Sequence, residues 1–371
     1  MSAFPKALTR ALPGPLYSTL RPVWRKFRAI RNRLFDRVLF PLWLVGRRIR
    51  HGKKLVIVYR IGALGDAICT LPLCRELQKR HPGTAVIFFT HADYKKMIML
   101  SRDVDGVYGA KSWEWPFSLP ARYKLPGVVR AIYNPKTTDE LFPNRGAQLH
   151  LIDDLAGSCG VTVPPSDRQP RLVPPPELIK KVQSAYGLAE DVARGRLIIG
   201  INCGRSWPVR MWDAAKWQAL LDKIHAEFDA TVLQFGLTKG KEDEFEQFRG
   251  VRCLTNRLKS DEIVALAASC HLIIAIDSGP VHVAGSVAVP VVGLFGAVKP
   301  QFRLPPNSPG EGVFTNVPCL FCHHATPLGH WQTGCAYDIR CMKELDAQTV
   351  FEAAKGMLLK YPHRVAAPSA G

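Results

Sequence analysis

Four short stretches of this chain hold residue types and spacings that do chemistry. The first is Asp277-Ser-Gly-Pro-Val-His282, set between the apolar runs Leu272–Ile276 and Pro290–Phe295. Continuous β-branched runs joined through a helix mark a parallel sheet buried on both faces. Pro280 suits the first turn of that helix, and Asp277 or Ser278 is placed to cap its free amides. A helix starting at the carboxyl end of a parallel strand attracts anions, because its unpaired N–H groups and its dipole point there. Asp277, Ser278 and Gly279 are therefore a candidate phosphate site, and His282, one turn on, faces the same crevice.

The second stretch, Arg60-Ile-Gly-Ala-Leu-Gly-Asp66, follows the apolar strand Leu55–Tyr59. Helical spacing at Ile68, Leu71 and Leu77 predicts one helix over Ala67–Arg80, and Ala85–Thr90 reads as the next strand. Gly62 and Gly65 let a ligand approach the backbone closely. Asp66 serves as a helix cap on a purely structural reading; in a crevice facing the phosphate site it becomes a candidate general base. The loop is not GxGxxG and no acid ends the second strand, which argues against a dinucleotide.

The third stretch follows the strand Leu197–Ile201. Gly204, Arg205 and Arg210 make a loop able to bind phosphate through backbone amides and charge, or, read singly, a solvated surface loop. Asp213 caps the next helix, whose apolar face is Trp217, Leu220, Leu221, Ile224 and Phe228; the strand Thr231–Phe235 and a helix from Ser260 follow. The fourth is Cys319-Leu-Phe-Cys322, then Cys335 after twelve intervening residues and Cys341 after five more, with His323, His324 and His330 between. Four thiolates at such spacing point to a closed structural site for Zn or Fe, with disulfides or unligated thiols as the alternative.

The elements that must position these groups alternate strand and helix through 371 residues, enough for two domains. The apolar fraction of 47% and charged fraction of 22% belong to an ordinary globular protein. A net charge of +19 does not, and residues 1–54 hold fourteen Lys and Arg against one acid, Asp36. Val23, Phe27, Ile30, Leu34 and Val38 recur at helical spacing among Arg25, Arg28, Arg33 and Arg37. That pattern predicts a basic amphipathic arm (residues 1–52) that lies on an anionic membrane surface or docks on the protein itself. The apolar run Val38–Val45 is too short to span a bilayer, and no segment is expected to cross one. No aromatic stacking motif or reader-domain signature supports nucleic acid. The arm lacks the form of a signal peptide, so free thiols in a cytoplasmic setting are expected.

Division of the rest follows composition: a domain over 53–176, a second over 177–345, and a helix with a tail over 346–371. Trp113, Trp115, Phe117 and Tyr123 among prolines mark a loop-rich region at the mouth of a cleft, and the Pro-rich run 163–176 reads as the connection.

Together the loop Arg60–Asp66 with Thr70-Leu-Pro72, the Arg210-Met-Trp212 segment, and Asp277–His282 with Pro290 and Phe295-Gly296 resemble glycosyltransferase family 9. This is the heptosyltransferase family of bacterial surface-polysaccharide synthesis. The likeness spans about residues 53–350. It implies an α/β GT-B architecture, two Rossmann-like domains facing a cleft. It implies inverting transfer of a sugar, a heptose from ADP-heptose, to a lipid-linked glycan or a protein at the inner face of the cytoplasmic membrane. No metal or cofactor is implied for catalysis.

Residue by residue, the resemblance makes Asp66 the catalytic base, with Arg60, Gly62 and Gly65 in the acceptor-side loop. Arg210 stands where the family usually has Lys, against the donor phosphates. Asp277, Ser278, Gly279 and His282 match the diphosphate and sugar site. Arg205 and Ser206 fall near the phosphate-binding loop, and Glu242 near the donor ribose. Some members hold a metal in a comparable cysteine cluster, here Cys319, Cys322, Cys335 and Cys341. A non-catalytic scaffold of this fold, using the arm and the four cysteines for assembly, is the competing reading; a Rossmann-type epimerase lacks its Tyr-x-x-x-Lys pair here.

Overall fold

The computed structural model describes residues 23, 27, 30, 34, 38–110, 125–142, 145–204, 207–236, 247–325 and 335–362. Two all-parallel sheets form the body. The N-terminal sheet is ordered β3-β2-β1-β4, from β1 (Lys54–Tyr59), β2 (Thr84–His91), β3 (Gly106–Ala110) and β4 (Val129–Tyr133). The C-terminal sheet is ordered β10-β9-β8-β5-β6-β7, from β5 (Leu197–Asn202), β6 (Ala230–Gln234), β7 (Val251–Cys253), β8 (Leu272–Ile276), β9 (Val291–Leu294) and β10 (Gly310–Val313). The strand runs read from the sequence are these strands, to within a residue or two. Burial explains why: β8 is buried along its whole length, so every position is apolar.

Strand order locates the functional loops. In the N-terminal sheet the chain runs outward from β1 through β2 and β3, then returns to the other side of β1 with β4. In the C-terminal sheet it runs outward from β5 to β7, then crosses back to place β8 beside β5. Crevices open at the carboxyl ends of strands where the winding reverses. The loops after β1, β5 and β8 lie at those points, and they are three of the four stretches singled out above.

One predicted helix divides. Ala67–Arg80 is the end of α2 (Leu64–Cys69) and all of α3 (Leu71–Arg80), separated at Thr70. Pro72 has no N–H for the carbonyl of Ile68, and the Thr70 hydroxyl donates to the Asp66 carbonyl at 2.7 Å, so the helix breaks there. Asp213 does cap its helix, α5 (Ala214–Glu227), accepting from the Ala215 amide at 2.8 Å. The C-terminal helix α8 (Ala347–Lys360) packs on α5 and across β8, β9 and β10. The Pro-rich run touches both halves: the Leu172 amide donates to Ser286 and the Val173 amide to Leu100.

Ahead of β1, helix α1 (Phe40–His51) lies on the N-terminal sheet. Its buried residues are Phe40 and Leu44; the Phe40 ring packs edge-on to Phe89 and to Tyr108, each at 5.5 Å. Val23, Phe27, Ile30 and Leu34 are helical and exposed, whereas Arg25, Arg28, Arg33 and Arg37 lie outside the described residues, as does the Trp- and Pro-containing stretch 111–124. No helix among the described residues is long and apolar enough to cross a membrane. None of the ten cysteines is in a disulfide.

Candidate active site

The two crevices face each other and merge into one cleft of about 580 Å³, within the usual size of a small-molecule site. One wall is the loop after β1. The guanidinium of Arg60, buried at 6% exposure, donates to Asp66 Oδ2 at 2.5 Å, to Glu140 Oε2 at 2.6 Å and to the Pro135 carbonyl at 3.1 Å. Burial alone would lower the Arg60 pKa, but the two carboxylates carry it upward, so this cation is firmly charged. Asp66 keeps a side chain 22% exposed to the cleft. It sits in the first turn of α2 and caps nothing: position and Arg60 have taken its carboxylate away from the helix amides. Gly62 is needed for this pairing, since a Cβ there would stand 2.9 Å from Asp66 Oδ2 and 3.1 Å from Arg60 Nε.

The other wall is built on helix α7 (Gly279–Ser286), which opens directly after β8. Ser278 is its N-cap residue but makes no side-chain cap; its hydroxyl turns instead to the Ile276 carbonyl at 3.1 Å and Asn202 Oδ1 at 3.3 Å. The expected capping by Asp277 or Ser278 is thus absent, because Asn202 anchors Ser278 and Asp277 pairs with Arg210. Arg210 Nε lies 3.3 Å from Asp277 Oδ2, and its guanidinium stacks over Trp207 at 5.4 Å. Burial lowers the Arg210 pKa, with Asp277 opposing. Asn202 also donates to the Phe235 carbonyl at 2.7 Å, tying the ends of β5 and β6 to this wall.

Two glycines bring the walls together. A Cβ on Gly65 would meet His282 Cδ2 at 2.6 Å, and one on Gly279 would meet Leu64 Cδ2 at 3.0 Å, so α2 and α7 cross glycine to side chain. At the crossing His282 Nδ1 lies 3.3 Å from Cys69 Sγ. Burial pushes the His282 pKa down to about 4, with Arg303 and Arg210 adding to the shift against Asp277. His282 is therefore neutral at ordinary pH. Burial likewise drives the Cys69 thiol well above its usual range, so it is no nucleophile.

Of the residues picked from sequence, Arg60, Gly62, Gly65, Asp66, Gly204, Arg210, Asp277, Ser278, Gly279 and His282 line this one cleft. Arg205, Ser206 and Glu242 lie outside the described residues. Sequence reasoning missed Glu140, Asp139, Thr137, Tyr94, Asn202, Trp207 and Arg303, which also line it, and placed His323 with the cysteines, whereas it too lines the cleft. Arg303 was findable, since it lies in the loop past the carboxyl end of β9, the same kind of position as Asp66 and Asp277. Asp103 and Asp105, spaced as an Asp-x-Asp pair, both serve the framework. Asp103 takes Arg75 at 2.8 and 3.0 Å, and Asp105 accepts from the Val86 amide at 2.7 Å.

The four cysteines of the last stretch gather beside the end of β9. A Cβ on Gly296 would stand 2.7 Å from Cys341 Sγ, and the Tyr337 amide donates to Cys335 Sγ at 3.4 Å. Burial, then Cys322, Cys319 and Cys335, push the Cys341 thiol up to about 11, so the sulfurs are close enough to feel one another's charge. Yet among the described residues no group of three or more His, Cys, Asp or Glu side chains is arranged to hold a metal ion. His323 and His324 are taken up elsewhere: His323 lines the cleft, and His324 accepts from the Lys299 amide through Nε2 and bonds the Ala147 carbonyl through Nδ1. The donor set suits Zn or Fe in chemistry; its arrangement here is a neighbourhood of thiols, not a cage.

Two parallel-sheet domains of Rossmann type facing a shared cleft define the GT-B class of glycosyltransferases. The sequence profile of Glycosyltransferase family 9 (heptosyltransferase) matches residues 173–353. The chain is 32% identical over 288 residues to a lipopolysaccharide heptosyltransferase 3 of Escherichia coli, which covers 65% of this chain and 83% of that protein. It is 29% identical over 175 residues to lipooligosaccharide heptosyltransferase 2 of Campylobacter jejuni, 44% of this chain and 52% of that one. The chain thus spans about half the length of the Campylobacter relatives it matches. Among solved structures, the E. coli ADP-heptose lipopolysaccharide heptosyltransferase II superimposes with a TM-score of 0.61 at 17% identity, over 84% of this chain and all of that one. The iron-containing dodecameric glycosyltransferase TibC of enterotoxigenic E. coli gives 0.59 at 14% identity, over 83% and 77%. The chain belongs to glycosyltransferase family 9.

Proposed function

We propose that this protein is an inverting heptosyltransferase acting in lipopolysaccharide or related surface-glycan synthesis, with ADP-heptose as donor. The observation that carries the reading is the facing of Asp66, held by Arg60, across one cleft from the uncapped start of α7 and the Arg210–Asp277 pair. The acceptor hydroxyl oxygen attacks the anomeric carbon while the bond from that carbon to the β-phosphate oxygen breaks. Its proton passes to Asp66, and the electron pair leaves on the nucleoside diphosphate. The Gly279 amide at the start of α7 and the Arg210 guanidinium meet the charge that develops there. Single displacement inverts the anomeric centre. A carboxylate is a weak base towards a sugar hydroxyl, so the proton transfer comes late, once the oxocarbenium-like centre has acidified the attacking hydroxyl. ADP release from ADP-heptose, measured with and without a heptose-deficient lipopolysaccharide acceptor, tests this. Acceptor-dependent release supports it, and binding without turnover on any acceptor favours the scaffold reading.

We also infer that the N-terminal arm rests on the anionic inner face of the cytoplasmic membrane, where a lipid-linked acceptor would lie. The reading is supported by α1, which keeps Phe40 and Leu44 inward while Leu42 (63% exposed) and Ile49 (75% exposed) face out beside Arg47, Arg48 and Arg50. Co-sedimentation with phosphatidylglycerol vesicles but not with phosphatidylcholine vesicles is expected, and equal partition to both contradicts it. For the four cysteines we infer a structural Zn or Fe. The donor chemistry of four cysteines outside any disulfide supports it, as does the iron named for TibC. Elemental analysis of the purified protein should find stoichiometric metal that is lost in a Cys319→Ser, Cys322→Ser variant.

A further inference from the structure

We propose that Arg303 is a second phosphate-binding guanidinium of the cleft, seated on the β-phosphate of the nucleoside diphosphate, the phosphate bonded to the departing sugar. The proposal rests on the nucleotide-sugar reading above and assigns a residue that neither motif nor spacing had marked.

The first argument is charge pairing. Arg303 is 8% exposed and lines the cleft. Its hydrogen bond is to the carbonyl of its own neighbour, Phe302, at 3.1 Å, and among the described residues it forms no ion pair with a carboxylate. The other arginines buried in or near the two domains are matched. Arg60 holds Asp66 and Glu140, Arg75 holds Asp103 through two nitrogens, and Arg210 pairs with Asp277. A largely buried guanidinium with one neutral partner is expensive to keep, since most of its surface has left water without an anion to compensate. A phosphate dianion entering the cleft supplies what is missing, and guanidinium matches phosphate in a two-pronged geometry.

The second argument is rigidity. Arg303 follows a single 3-10 turn, Pro300–Phe302, after β9. The Arg303 amide donates to the Pro300 carbonyl at 2.9 Å and the Leu304 amide to the same oxygen at 2.7 Å. From the C-terminal half, the Phe302 ring packs edge-on to His324 at 4.9 Å, and a Cβ on Gly312 would meet Pro300 Cβ at 2.3 Å. From the N-terminal half, His150 Nε2 bonds the Leu304 carbonyl at 3.0 Å. The turn is gripped by both domains, so its arginine needs little ordering when an anion arrives. That double grip also places it towards the domain junction, where the sugar–phosphate bond breaks, and this is why the β-phosphate is assigned.

The surroundings agree. The imidazoles that face Arg303, those of His150, His282, His323 and His324, are all lowered in pKa, by burial first and with Arg303 adding in each case. The positive charge of this corner is therefore concentrated on Arg303 and the Asp277-paired Arg210, with neutral rings around them.

The test is calorimetric titration of wild type, Arg303→Lys and Arg303→Gln with ADP, AMP and adenosine. The wild type should prefer ADP to AMP. Arg303→Gln should lose about tenfold or more in ADP affinity while AMP and adenosine change little, so the preference collapses. Arg303→Lys, which keeps the charge and loses the fork, should fall between, and it guards against a Gln variant that does not fold. An unchanged ADP-to-AMP ratio in both variants overturns the assignment and leaves the nucleotide-sugar reading standing. Failure of the wild type to bind any of the three nucleotides overturns that reading, and Arg303 with it.

Discussion

The crevice after β1 is walled by Asp66, Asp139 and Glu140 around one arginine, whereas the crevice after β5 and β8 is walled by Arg210, Arg303 and neutral histidines around one aspartate. Both stand at the winding reversal of a parallel sheet, and both loops follow a buried apolar strand. Topology alone therefore chooses where a site forms; the side chains choose its sign. The acid-rich crevice suits sugar hydroxyls and a proton acceptor, and the cation-rich one suits a departing diphosphate. The Gly65–His282 and Gly279–Leu64 crossings hold the two at working distance.

That contrast can be broken at several points. Asp66→Asn removes the proposed proton acceptor with little change in shape, so turnover should fall by about 10²- to 10⁴-fold while ADP binding persists. Initial-rate assays beside titrations measure both. Gly65→Ala forces a methyl against His282, which stands 2.6 Å from the built Cβ. Overpacking of this kind costs about 1–3 kcal/mol, read in denaturant melts, and turnover should fall with it because the crevices are pushed apart.

Glu140→Gln leaves Arg60 with one carboxylate instead of two. Because the Glu140 side chain is 41% exposed, the expected effect is a several-fold drop in kcat with unchanged ADP affinity. The smallest effect is a pH dependence. Burial pushes the pKa of His282 down to about 4 and that of His150 to about 3, against about 6.5 for an unperturbed imidazole. The unfolded chain then binds more protons below about pH 6.5, so stability present above that value is lost as the pH falls towards 4. His150→Gln should flatten the melting-temperature profile across this window, whereas a surface substitution such as Lys355→Gln should not.

The sequence showed much of this through local signals. Strands buried on both faces declare themselves as unbroken apolar runs, so β1, β5, β8 and β9 and the loops after them were visible, and ten candidate residues meet in one cleft. What stayed hidden depends on contacts far apart in the chain. Arg60 finds Glu140 eighty residues on, and His282 meets Cys69 across more than two hundred, distances that no periodicity reports. The break at Thr70 was missed because helical spacing continues through it, and only the missing amide of Pro72 and the Thr70 hydroxyl end the helix. The cysteine spacing proved suggestive of a cage that the described side chains do not form. Spacing gives the donors, while coordination depends on where the backbone aims them.

The most direct test of the division between the two crevices is a thermal-shift titration with ADP on three proteins: wild type, Asp66→Asn and Arg210→Ala. A ligand that binds only the folded state raises the melting temperature by mass action. The account predicts equal stabilisation of wild type and Asp66→Asn, and its loss in Arg210→Ala. Loss in Asp66→Asn with retention in Arg210→Ala would place the nucleotide in the crevice after β1 and contradict the account.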